Sequence, residues 1–279
     1  MSQTGENIME LNRRHLLAAL SALGLAGASA QAKPVKSPFK KIGVQLYTVR
    51  DAFAKDPVGT LKRVKALGYD QVETITFGGV SARDFKARLT DVGLTAPSGH
   101  VGLTDWQTRA EAALDDQVAV GARYAVLAWL PTEDRDGWKA WADKMNTWGQ
   151  LAKSRGLTFC YHNHDFEFKK TASGDMPYHV LLENTDPSLV TFELDCYWAS
   201  FAGHDPVHIL QEHGTRIRQL HLKDKLADGS MAPVGEGTID FAAVLDAAVK
   251  GGVENVYVEH DNPADPWASI ATSIKNLKG

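Results

Sequence analysis

Cysteine is nearly absent. Cys160 and Cys196 are the two in 279 residues, too few for the disulfide framework that staples small exported domains. They can form one bridge or serve as two small buried hydrophobes. Positive charge is not in excess either: a net charge of −4 and a pI near 6.2 provide no basic field for a phosphate backbone, so a nucleic-acid partner is not expected. Residues 40–279 contain no low-complexity tract and no Pro/Gly-rich linker, and read as one domain. The first strand-like segment is not followed by a glycine-rich phosphate loop, which weighs against an open dinucleotide-binding sheet.

The N-terminus carries an export pattern. Arg13 and Arg14 precede an apolar run from Leu16 to Ala28, and small residues in an A-x-A arrangement follow. The run falls short of the roughly 20 residues that a membrane span needs. The expectation is a twin-arginine signal over residues 1–32, cut after Ala30 or Ala32, and a periplasmic mature chain with no membrane partner.

With 44% hydrophobic and 23% charged residues, the remainder has ordinary globular composition and can bury a large core. Short apolar segments alternate with helical patterns throughout. The strand segments are 42–47, 70–75, 94–100, 123–129, 157–164, 189–195, 216–223 and 253–259. Between them Asp56-Pro57, Asp205-Pro206 and Asp265-Pro266 open helices with an N-cap followed by proline, while Ser81 caps 82–92 and Gly93 stops it. This rhythm predicts an α/β fold, a single (β/α)8 TIM barrel over residues 33–279. A doubly wound sheet is the alternative.

Side chains alternate between the faces of a strand, so parity sorts each segment. In "LTFCYHNH" Cys160, His162 and His164 share one face, and Leu157, Phe159 and Tyr161 the other. The apolar sets belong against the helices. The polar sets then point at the barrel axis: Glu193 and Asp195, His221 and Lys223, Tyr257 and Glu259, with Gln45, Glu73 and His100 by the same rule. All lie near the C-terminal strand ends, where such barrels carry their chemistry. Gln45, Glu73 and Glu193 are equally well read as hydrogen-bonded barrel lining. His162, Asp195, His221 and Glu259 are different, because two imidazoles and two carboxylates converging from neighbouring strands leave buried charge uncompensated without a cation. Such mixed ligands suit Zn²⁺, Mn²⁺, Co²⁺ or Fe²⁺.

Six motifs, "GVQLYTVRD", "YHNHDFEF", "LLENTDPSLVTFELDCYW", "HLKD", "VGEGTIDF" and "VYVEHD", occur in this order over residues 40–262. Together they resemble the sugar phosphate isomerase/epimerase family, the xylose isomerase-like barrels. The resemblance implies one divalent metal ion (Mn, Zn, Co or Mg) held by Glu, Asp, His and Glu from the last four barrel strands. Asp195, His221 and Glu259 match three of these ligands. The first falls on His162, so the family's two-glutamate proton relay does not carry over intact. Trp198 stands where many relatives have a second histidine, which argues against a three-metal site.

The implied chemistry is proton abstraction next to a carbonyl by a metal-dependent keto-sugar isomerase or epimerase. Glu259 is the first candidate for proton transfer, with His164, Lys223 or His100 for the second transfer; His164 is alternatively a spare ligand, and Lys223 an oxyanion partner or an ion pair with Asp224. Substrate contacts are expected from His100, Glu167, Gln45 and Trp198, Glu167 from a loop just past its strand. Trp106 and Trp129 are further aromatics that could stack on a sugar ring or pack in the core. The partner is a small sugar or glycoside, and a homo-oligomer stays open. The alternative is a lyase or hydratase acting on 3-keto-glycosides through the same enolate; a non-catalytic sugar-binding barrel comes third and a phosphodiesterase last.

Overall fold

The structure is a computed structural model and describes residues 35–131, 135 and 137–279. The expected export signal at 1–32 lies outside these residues. Strands β1 (Gly43–Gln45), β2 (Gln71–Thr74), β3 (Thr95–Val101), β4 (Tyr124–Leu127), β5 (Thr158–His162), β6 (Val190–Asp195) and β7 (Ile217–Leu222) run in chain order around a barrel. After β7 comes a short hairpin, β8 (Asp224–Lys225) and β9 (Met231–Ala232), and β10 (Asn255–Val258) then pairs with both β7 and β1 to close the ring of eight parallel strands.

The helices begin and end where local chemistry places them. Asp56, Asp205 and Asp265 each accept a backbone N–H of the first turn of helices Pro57–Ala66, Pro206–His213 and Pro266–Lys278. Ser81 does the same for Ala82–Val92, which stops at Gly93 in the left-handed region at φ 74°. Helix Trp138–Ser154 turns Trp141, Met145, Trp148 and Ala152 to the core at helical spacing. Among the described residues no helix is long and apolar enough to cross a membrane.

The parity sets separate as the pattern requires. Val190, Phe192, Leu194, Leu220, Leu222, Val256 and Val258 are fully buried in the layer between strands and helices, each worth roughly 1.5–3 kcal/mol of apolar burial. Inside the barrel, Tyr124, Val126 and Cys160 form a small separate apolar cluster. Gly43 is required there by close approach: a Cβ would sit 2.3 Å from Cδ1 of Tyr257. Cys160 and Cys196 are both free and buried. Two elements differ from expectation. The first strand is cut to three residues because Leu46–Val49 coil into a 3-10 turn, and the β8–β9 hairpin was not legible in the sequence.

Parallel register stacks the polar groups. Asp195 lies opposite His221, which lies opposite Tyr257; His162 lies opposite Glu193, and Gln45 opposite Glu73.

Candidate metal centre and active site

Two polar layers sit one above the other at the C-terminal end of the barrel. The lower holds Glu73 and Glu193, both without solvent exposure. Oε1 of Glu73 accepts from Ser98 Oγ at 2.5 Å, and Oε2 accepts from Gln45 Nε2 at 2.7 Å. Oε1 of Glu193 accepts from Gln219 Nε2 at 3.2 Å. Burial would raise the Glu73 carboxyl, but the imidazoles of His100 and His221 hold it well below the usual carboxylate range. Burial and the Glu73 charge likewise raise Glu193, and the imidazoles of His221, His100 and His162 bring it down to about 2. His100 is pulled the opposite way: burial lowers it, while Glu73 and Glu193 lift it to about 9.

The upper layer brings His162, Asp195, His221 and Glu259 together, with one ligand atom from each all within 4.8 Å of one another. Strand β6 ends at Asp195 and the chain turns at once into helix Cys196–Phe201. Oδ1 of Asp195 caps that helix by accepting the N–H of Trp198 at 2.9 Å. Oδ2 is therefore left for the barrel axis. It is buried and has no hydrogen-bond partner; Lys223 Nζ lies 2.9 Å away without hydrogen-bond alignment, and His162 Nε2 lies 3.8 Å away.

Oδ2 accepts no hydrogen bond although the Lys223 ammonium faces it, and with two imidazoles and a second carboxylate within 4.8 Å the donor set fits a divalent ion. His162 Nε2, Asp195 Oδ2, His221 Nδ1 and Glu259 Oε2 would hold it. Burial and the neighbouring His221 keep His162 neutral, the form in which an imidazole coordinates. Burial disfavours charge on His221 and Lys223 as well, yet the surrounding carboxylates push both well above their ordinary values.

Lys223 is enclosed by three carboxylates: Asp261 at 2.7 Å, Glu259 at 2.8 Å and Asp195 at 2.9 Å. It makes no pair with Asp224, whose carboxylate turns away to accept the backbone N–H groups of Lys225, Gly235, Gly237 and Ile239. Above this floor a cavity of about 520 Å³ is lined by Tyr47, His100, Trp129, Arg135, His162, His164, Phe166, Trp198, Lys223, Glu259 and Asp261, among others. Nδ1 of His164 and Nε1 of Trp198 are buried without a partner, and both residues line this cavity.

Residues 61–278 match the family described as the xylose isomerase-like TIM barrel. The chain belongs to this family. A sugar phosphate isomerase/epimerase from Parabacteroides distasonis is 28% identical and superposes with a TM-score of 0.73 over 84% of this chain and 96% of that one. Inosose dehydratase from Geobacillus thermodenitrificans is 31% identical over 46% of this chain and 48% of its own. The chain spans about half the length of the curated relatives it matches. The zinc-bound IOLI protein, 17% identical with a TM-score of 0.65 over 85% of this chain and 96% of its own, shares the fold.

Within this xylose isomerase-like barrel two expected substrate contacts lie elsewhere. Gln45 is fully buried and below the cavity, its amide spent on Glu73 and on the N–H of Tyr47. Glu167 is not an exposed loop group. It sits in the 3-10 turn Phe166–Phe168 with no solvent exposure, accepting from Tyr161 Oη at 2.6 Å and from the backbone N–H of His164 at 2.8 Å. Trp106 belongs to the core, against Trp148 and Phe159, whereas Trp129 is 48% exposed and lines the cavity. His100 reaches both places, bonding in the lower layer and lining the cavity. Asp261 was missed. The signal was present in "VEHD", where it continues the parity of Glu259.

Proposed function

We propose that the chain removes a proton from carbon next to the carbonyl of a polyhydroxylated keto substrate, with a divalent cation at His162, Asp195, His221 and Glu259, and acts as a sugar isomerase or epimerase. The convergence of two imidazoles and two carboxylates within 4.8 Å, with Asp195 Oδ2 accepting no hydrogen bond, carries the reading. When bound, the cation polarises the carbonyl and lowers the cost of negative charge on its oxygen. Glu259, at the cavity floor, takes or returns the proton on one side. His164 presents its free Nδ1 from the wall and serves the other side, where His162 replaces the glutamate expected for an epimerase. Lys223 holds a fixed positive charge beside the carbonyl oxygen and favours the oxyanion. Trp198 and Trp129 form the aromatic wall.

A second reading, a lyase that expels a β-leaving group, draws on the same His162 replacement. Elimination needs one base for the α-proton and one acid for the departing oxygen, and a second carboxylate relay is not required. The inosose dehydratase relatives support it.

A panel of keto-sugars and inososes incubated with metal-loaded protein in deuterated water tests both. An epimerase should place solvent deuterium on the α-carbon and an isomerase on the former carbonyl carbon, whereas loss of the α-proton together with water or an alcohol would identify the lyase. Metal-replete Glu259→Gln should exchange at least about 10²-fold more slowly. Turnover without C–H cleavage would sink both readings.

A further inference from the structure

His162 and His221 each use both ring nitrogens. On the upper side His162 Nε2 faces Asp195 Oδ2 at 3.8 Å, and His221 Nδ1 is 2.8 Å from Glu259 Oε2. On the lower side His162 Nδ1 is 3.1 Å from Glu193 Oε2, and His221 Nε2 is 2.6 Å from Glu73 Oε2. The described residues consequently contain two overlapping ligand groups, the upper one and a lower one of His100, His162, Glu193 and His221.

A neutral imidazole carries one proton. One of its nitrogens donates and the other offers a lone pair, so two rings shared between two layers serve a cation in one layer only. Hydrogen bonding selects the upper layer. The 2.6 Å between His221 Nε2 and Glu73 Oε2 is a charge-assisted hydrogen bond that commits this nitrogen to the lower carboxylate. The lower carboxylates are already satisfied by Gln45, Ser98 and Gln219. The upper layer has the oxygen with no hydrogen bond.

We propose that Glu73 and Glu193 are positioning residues for the metal centre: Glu73 accepts the Nε2 proton of His221 and Glu193 the Nδ1 proton of His162, which aims His221 Nδ1 and His162 Nε2 at the cation. The proposal rests on the metal site described under the proposed function. Neither carboxylate touches the cation or the substrate. His100, whose Nε2 lies 3.1 Å from Glu73 Oε2 and 3.2 Å from Glu193 Oε2, bridges the two and keeps them apart in charge.

Zn²⁺ titrated calorimetrically into chelator-stripped protein should bind at one equivalent. Glu73→Gln and Glu193→Gln should bind about 10- to 100-fold more weakly with unchanged circular dichroism, because an amide keeps the size but loses the charge that fixes the ring. Nitrogen-15 NMR of the zinc-loaded wild type needs no variant, and should show His221 protonated at Nε2 and His162 protonated at Nδ1. Affinity unchanged within twofold in both variants, the opposite tautomers, or a second equivalent of zinc in the lower layer would each overturn the proposal. Zinc binding by Asp195→Asn as tight as wild type would instead remove the upper site itself, and the proposal with it.

Discussion

Glu167 is a carboxyl group removed from water, with a phenol and one backbone N–H as its donors. Burial raises it from its ordinary 4.5 to about 7, and the bonds from Tyr161 and His164 only partly oppose this. The folded chain therefore binds this proton more tightly than the unfolded chain. Its contribution to stability is complete below about pH 4.5 and is lost as the pH rises through about 7. Glu167→Gln cannot titrate, so urea midpoints of wild type relative to this variant should fall between about pH 5 and about pH 8. Parallel profiles would show that the carboxyl ionises as freely when folded as when unfolded. The residue matters to the site through its neighbour, since the accepted N–H belongs to His164, whose free Nδ1 lines the cavity.

One side chain gathers much of the β8–β9 hairpin and the segment that follows it. Asp224 is fully buried and gathers the N–H groups of Lys225, Gly235, Gly237 and Ile239. A Cβ on Gly237 would stand 2.2 Å from its Oδ1, which accounts for glycine at that point in "VGEGTIDF". In Asp224→Asn an amide NH2 must face one or more of these donors. The expected cost is about 1.5–3 kcal/mol for a lost charge-assisted hydrogen bond, read as a lower urea midpoint. Residues 226–239 should also lose protection against hydrogen exchange while the barrel strands keep theirs. Uniform loss across the barrel would mean that Asp224 supports the whole fold and not one loop.

At the scale of the molecule, the barrel gathers imidazoles, carboxylates and Lys223 around one axis, so a cation bound as proposed would couple stability to metal. A ligand that binds only the native state adds about 2.7 kcal/mol when present at a hundred times its Kd. For a domain of this size that corresponds to a rise of roughly 5–10 °C in Tm. Melting curves with excess Zn²⁺ or Mn²⁺ should show this rise and its reversal by a chelator. Asp195→Asn should show neither, while keeping the cap on helix Cys196–Phe201, because asparagine also caps. A metal-dependent rise that survives in Asp195→Asn would place the binding elsewhere.

The barrel, its helix caps and the inward set His162, Asp195, His221 and Glu259 were legible in the sequence because they follow from local periodicity: parity along a strand, and an Asp-Pro or Ser at a helix start. Lys223 and His164 were legible for the same reason. Gln45 and Glu167 were not, since parity says which face a side chain leaves from and nothing about which neighbour captures it. Gln45 could be assigned only once β1 and β2 were set in register, which put Glu73 within 2.7 Å of its amide. Glu167 lies past the end of its strand, and the 3-10 turn that rotates it inward is fixed by its bonds to Tyr161 and His164. Composition and alternation along the chain thus determined which groups could meet at the barrel mouth. The closing of the ring decided which did, because strand register and layer height are properties of pairs of strands and are written in no single segment.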